Sequence, residues 1–136
     1  MPAQRGNVKT LKWNIEAMDP KLAKFRSIGT NLTAGAANTV YTCPANHFAK
    51  VELLFVANTA GGNQTVSIQW HDLTTGMDYY IVGGYIISAY GYLKIDGSYI
   101  VLNAGDYLVI TPEAGSVMDA SVSVEEYFNP MGSNYG

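Results

Sequence analysis

The residues able to do chemistry in this 136-residue chain are few and scattered: two histidines, one cysteine and eleven carboxylates. Nucleophilic catalysis needs a nucleophile held against a base, and acid–base work needs two carboxylates at a working separation. His71 stands next to Asp72, but neighbouring residues of a strand point to opposite faces, so adjacency does not make a pair. Glu125 and Glu126 are kept apart by the same geometry. His47 precedes Phe48 where a strand begins, with no acid beside it. Cys43 closes the run Val40, Tyr41, Thr42 and reads as a small buried hydrophobe; as the sole cysteine it allows no intramolecular disulfide. Gly61-Gly62 and Gly83-Gly84 lack the following helix and Lys of a phosphate loop. No His, Cys, Asp or Glu spacing matches a zinc or calcium site. The expectation is no catalytic residue, no metal and no cofactor: not an enzyme.

Aromatic residues carry more signal. Seven of the ten tyrosines, Tyr79, Tyr80, Tyr85, Tyr90, Tyr92, Tyr99 and Tyr107, fall within 29 residues. Exposed rings stack on sugars, which would make this stretch a glycan platform. Tyrosine also favours strands and suits interfaces, burying its ring while its hydroxyl stays wet. The interface reading is preferred. Asn31-Leu32-Thr33 and Asn63-Gln64-Thr65 match the glycosylation pattern, which has no meaning without a secretory signal.

Hydrophobic residues make up 48% and charged residues 14%, against roughly 25% charged in an ordinary soluble domain. A surface so poor in charge suits a protein that sits against neighbours. The charges are also unevenly placed. Residues 1–29 hold six cations against two acids, a net of +4, whereas the remainder holds two cations against nine acids, a net of −7. Such asymmetry marks an interaction tail. Six cations spread over 26 residues are too dilute for a phosphate-binding run, so no nucleic acid is expected as partner. The first residues have no apolar core of a signal peptide, and no apolar run approaches the ~20 residues of a membrane helix. A soluble product of a cytoplasm, without a membrane partner, is expected.

Three segments follow. In the arm, residues 1–29, Leu11, Trp13, Ile15 and Ala17 alternate with Lys12, Asn14 and Glu16, the period of a half-buried strand that could add to a sheet edge. Asp19-Pro20 then suits a helix start, with Leu22 and Phe25 three apart, so a helical turn or two is expected. The assembly contacts assigned to the arm are Leu11, Trp13, Ile15, Leu22 and Phe25, steered by Lys9, Lys12, Lys21, Lys24 and Arg26. Residues 30–128 read as strands near 39–43, 49–57, 65–72, 78–82, 85–89, 92–95, 99–102, 106–112 and 120–128, separated by turn-prone residues. The fold class is all-β, an antiparallel β-sandwich or jelly-roll-like body. Asp96-Gly97 predicts a two-residue hairpin turn pairing 92–95 with 98–101. Leu53-Leu54-Phe55-Val56 is apolar on both faces, which places that strand centrally or beneath another subunit. Residues 129–136 read as a flexible tail.

The runs "NTVYTCPAN", "AKVELLFVANTAGGNQTVSIQWHD", "YIVLNAGDYLVITPEAG" and "DASVSVEEY" resemble a broad group of small tailed-phage virion proteins, of the kind found in phages of cyanobacteria and marine bacteria. The resemblance covers about residues 30–128 and lies mostly in turn chemistry. It implies a β-sandwich or jelly-roll body, homo-oligomeric assembly, commonly trimeric, and residence in the virion as a capsid cement or decoration subunit or a tail component. The implied partners are further copies of the chain and the major capsid protein or another virion protein. It implies no catalytic residue, and the arm is not part of it.

Overall fold

The computed structural model describes residues 23–96 and 100–130. Its strands are β1 (Lys24–Asn31), β2 (Asn38–Thr42), β3 (His47–Asn58), β4 (Gln64–Asp72), β5 (Met77–Ile87), β6 (Tyr92–Asp96), β7 (Val101–Asn103), β8 (Tyr107–Pro112) and β9 (Met118–Phe128). One sheet runs β1-β9-β3-β6 with β7 also on β3; the other runs β2-β8-β4-β5.

The pairings are nested: β1 with β9, β2 with β8, β3 with β6 and β7, and β4 with β5, all antiparallel. The chain is therefore one long hairpin with its tip between β4 and β5. Rolling that hairpin brings β9 onto β3 and β8 onto β4. With β6 and β7 sharing one strand position, this is an eight-position jelly roll.

Alternation builds the core. Ala49, Val51, Leu54 and Val56 of β3, Val66 and Ile68 of β4, Leu108 and Ile110 of β8, and Ala120, Val122 and Val124 of β9 point between the sheets and are buried. Truncating one of the fully buried leucines to Ala would cost about 2–5 kcal/mol. A register shift between Val51 and Leu53 keeps β3 in phase on both sides of Glu52. Leu53 and Phe55 turn to the outer face, where Phe55 stacks on Tyr92 at 5.0 Å. The doubly apolar strand is thus central, with its outer side half-covered by its own neighbours.

Two buried polar residues tie loops to this frame. Asn58 Nδ2 donates to the carbonyls of Gly62, Ile87 and Ser88, joining the end of β3 to the end of β5. Asp106 accepts from the backbone N–H of Leu73 and Asn103. Gly105 beside it has φ +89°, and a Cβ there would collide with Leu73.

Several sequence expectations are corrected. β1 occupies residues placed in the arm, and Phe25, expected on a helical turn, lies in this strand opposite Glu125. Pairing with β9 offers a full ladder, which outweighs a short helix without tertiary support. Residues 19–22 lie outside the described residues. The hairpin pairing 92–95 with 98–101 does not form: β6 and β7 both lie along β3, with Leu53 opposite Asp96 and Lys50 opposite Val101. β3 has twelve residues, and a reversal at Asp96 would leave its first half without this partner and Leu102 outside the core. The expected strands 78–82 and 85–89 are one strand, shifted in register at Ile81 and again at Gly83-Gly84, where Gly84 N–H bonds Ser67 Oγ at 2.9 Å. Of the expected tail, Asn129 donates its N–H to the Asn46 carbonyl at 2.7 Å; residues 131–136 lie outside the described residues.

Candidate interaction surface

The order of strands gives the sandwich two lateral sides. β1 lies over β2 on one; β5 and β6 lie on the other.

The β1/β2 side is closed from within. Glu126 of β9 points inward and is 4% exposed. It accepts a hydrogen bond from the Tyr41 hydroxyl of β2 at 2.6 Å and pairs with Arg26 of β1 at 3.0 Å. One carboxylate therefore links both sheets. Burial, together with the hydrogen bond to Glu126, raises the Tyr41 phenol above its usual range. Cys43 is pushed up to about 12, first by burial and then by the charges of Glu126 and Asp106. Such a thiol stays protonated and inert at neutral pH. A shallow cavity of about 260 Å³ opens here, lined by Arg26, Ile28 and residues 39–42.

The β5 side is built differently. β5 pairs with β4 alone, leaving its outer backbone edge without a strand among the described residues. Its sequence, Met-Asp-Tyr-Tyr-Ile-Val-Gly-Gly-Tyr-Ile-Ile, contains one charge, no Lys and no Pro. Met77 (55% exposed), Tyr80 (67%) and Ile86 (62%) open to solvent. Edge strands normally carry Lys, Pro or inward charges that discourage pairing with another chain. The other edges follow that habit: β1 carries Lys24 and Arg26, β6 carries Lys94 and Asp96, and β2 is only five residues long.

Beside this edge lies a polar cluster on the outer face of the β2-β8-β4-β5 sheet. His71 of β4 bonds Asp78 of β5 at 2.7 Å and stacks on Tyr107 of β8 at 4.5 Å. Its acid is thus Asp78, opposite in register, and not its sequence neighbour Asp72. Asp72 instead organises the turn, accepting from Thr74 N–H and Thr75 Oγ1. His47 bonds the Ala45 carbonyl through Nδ1. Among the described residues no three His, Cys, Asp or Glu side chains gather as metal ligands.

Of the arm residues assigned to assembly, Lys24, Phe25 and Arg26 are described. Phe25 is 72% exposed on the outer face of β1, whereas Arg26 serves the internal bond to Glu126. Lys9, Leu11, Lys12, Trp13, Ile15, Lys21 and Leu22 lie outside the described residues. The Arg26–Glu126–Tyr41 link spans a hundred positions of sequence and left no local signal. The His71–Asp78 pair had one: a turn through Leu73–Gly76 sets those two residues opposite each other.

No protein-family model matches the chain, and no curated protein sequence matches it. Among solved structures, it is similar to a subunit of Bacillus endospore appendages, a family of disulfide-linked pili, with 13% identity over 79% of this chain and 88% of that one, at a TM-score of 0.48. It is similar to PirA at 11% identity over 75% of this chain and 92% of that one, at 0.43. Infectious bursal disease virus, in its T13 particle, provides a third, at 10% identity over 85% of this chain and 33% of that one, at 0.46. Likeness at this level says nothing of function. No helix among the described residues is long and apolar enough to cross a membrane.

Proposed function

We propose that this chain is a structural subunit of a virus particle, a capsid cement or decoration protein that works by being assembled. The observation that carries the reading is β5: a long, nearly uncharged edge with exposed aromatic and aliphatic side chains suits a surface that is covered when the protein is at work. The low charge content and the basic segment before the body support it, as does the sequence resemblance to small tailed-phage virion proteins. Its partners are further copies of itself and a shell protein. No catalysis, cofactor, nucleic acid or membrane enters the role.

The full-length chain should form a discrete oligomer, a trimer on the resemblance, at micromolar concentration in analytical ultracentrifugation, and antibody labelling should find it on virion heads by electron microscopy. A chain that stays monomeric at hundreds of micromolar and is missing from virions would end the proposal. A second reading makes it a tail or fibre subunit that touches host glycans. It is favoured by one feature: Tyr80, Tyr107, His71 and Asp78 sit on one outer face, offering rings and a carboxylate to a sugar. Glycan-array binding that disappears in Tyr80→Ala would support it, and labelling of tails would separate it from the first.

A further inference from the structure

We infer that the Met77–Tyr80 stretch of β5 is the acceptor for residues 11–17 of a neighbouring copy, which add to it as an extra strand. The inference deepens the assembly role proposed above and rests on it.

Three observations converge. First, β5 is in regular register from Met77, opposite Asp72, to Tyr80, opposite Gln69. That stretch, Met77 to Tyr80, therefore presents an even row of outward backbone groups four residues long, before the register shifts at Ile81 and at Gly83-Gly84. Second, residues 11–17 alternate Leu, Lys, Trp, Asn, Ile, Glu, Ala, so one face is apolar and the other polar over seven residues, enough to span that stretch. Strand addition uses such a segment: main-chain bonds give affinity and alternate side chains give specificity. Third, charge is complementary. Residues 1–22 hold four cations and two acids, while the rest of the chain holds four cations and nine acids.

Topology decides whose edge is used. The chain joins the body at β1, on the side of the sandwich away from β5. A path from β1 around to a strand added outside the same copy's β5 crosses four strand spacings of about 4.8 Å and an intersheet gap of about 10 Å, about 29 Å before any side chain is cleared. The seven residue steps from Ala17 to Lys24 reach about 23–25 Å fully extended. The segment therefore serves a neighbour. Donor and acceptor lie on opposite sides, so the contact is head to tail and closes into a ring or runs on as a filament.

The experiment uses two full-length variants checked for fold by circular dichroism. Trp13→Asp with Ile15→Asp spoils the donor; Met77→Lys with Tyr80→Lys spoils the acceptor. Each alone should be monomeric, and an equimolar mixture should give a heterodimer of twice the 14.7 kDa chain mass, because each variant keeps the half that the other lacks. In the wild-type oligomer, hydrogen exchange should show β5 amides slowed at least tenfold relative to the donor variant. A donor variant that stays assembled would overturn the inference in favour of β5 pairing with β5 of a second copy. An acceptor variant that stays assembled would also overturn it, seating the arm elsewhere. Both results leave the assembly role standing; a monomeric wild-type chain would overturn the inference, and its absence from virions as well would remove the assembly role.

Discussion

The two lateral sides of the sandwich solve the same problem in opposite ways. At β1 and β2 the open margin is bridged by Glu126, which Tyr41 and Arg26 reach from two different strands. At β5 the margin is left with Met77, Tyr79, Tyr80, Tyr85 and Ile86 exposed, and the one charge, Asp78, is turned to His71. The first side satisfies itself and contributes to the fold. The second has no further strand on its backbone edge among the described residues and exposes its apolar side chains, so on the proposed role stability and assembly should be separable by mutation.

The largest effect on that separation is expected from the acceptor pair, Met77→Lys with Tyr80→Lys. It should abolish assembly while changing the stability of the folded chain by no more than about 0.5 kcal/mol, the usual range for surface positions. Urea unfolding alongside sedimentation would check both, and a large stability loss would erase the distinction between the sides. Arg26→Met should do the reverse. It leaves Glu126 buried without its cation, and loss of one partner from a buried pair costs about 3–5 kcal/mol. Because Arg26 is itself 41% exposed, the lower part of that range is expected, with assembly retained. Tyr41→Phe removes a hydrogen bond to a charged group and should cost about 1.5–3 kcal/mol.

A pH series probes the closed side without mutation. Folding raises the proton affinity of both Tyr41 and Cys43. Below about pH 8 both are protonated in either state and contribute no pH dependence. Above the unfolded values of about 8.5 and 10 the unfolded chain releases these protons first, so stability falls with rising pH, by up to about 1.4 kcal/mol per unit for each group. Thermal melts between pH 8 and 11 should show this, and Cys43→Ala should flatten the earlier part of the decline; an unchanged slope in that variant would remove Cys43 from the account. The smallest effect is expected at His71→Ala. Its bond to a half-exposed Asp78 is a surface pair worth about 1 kcal/mol or less.

Strand existence was legible along most of the chain because half-buried strands alternate. In β4, Val66 and Ile68 turn inward while Ser67, Gln69 and His71 turn out, as their spacing predicts. The opposed directions of Glu125 and Glu126 were legible for the same reason, with Glu126 buried and Glu125 beside Lys50 on the outer face. β1 was hidden, since Lys24-Phe25-Arg26-Ser27 has little apolar content, and its inward Arg26 is explained only by Glu126. The partner of Val101 was misread, as a neighbour of β6, because local turn preference competes with the length of β3.

Composition and period by themselves determined an all-β body poor in charge, with a tyrosine-rich stretch from 79 to 107, because side-chain direction in a strand depends on sequence position alone. Which strands became edges, that β5 has one strand partner among the described residues while β1 and β2 are bridged, and that His71 met Asp78 were decided by the tertiary structure. Those outcomes depend on how the long hairpin rolls, and rolling is set by contacts between residues far apart in the chain.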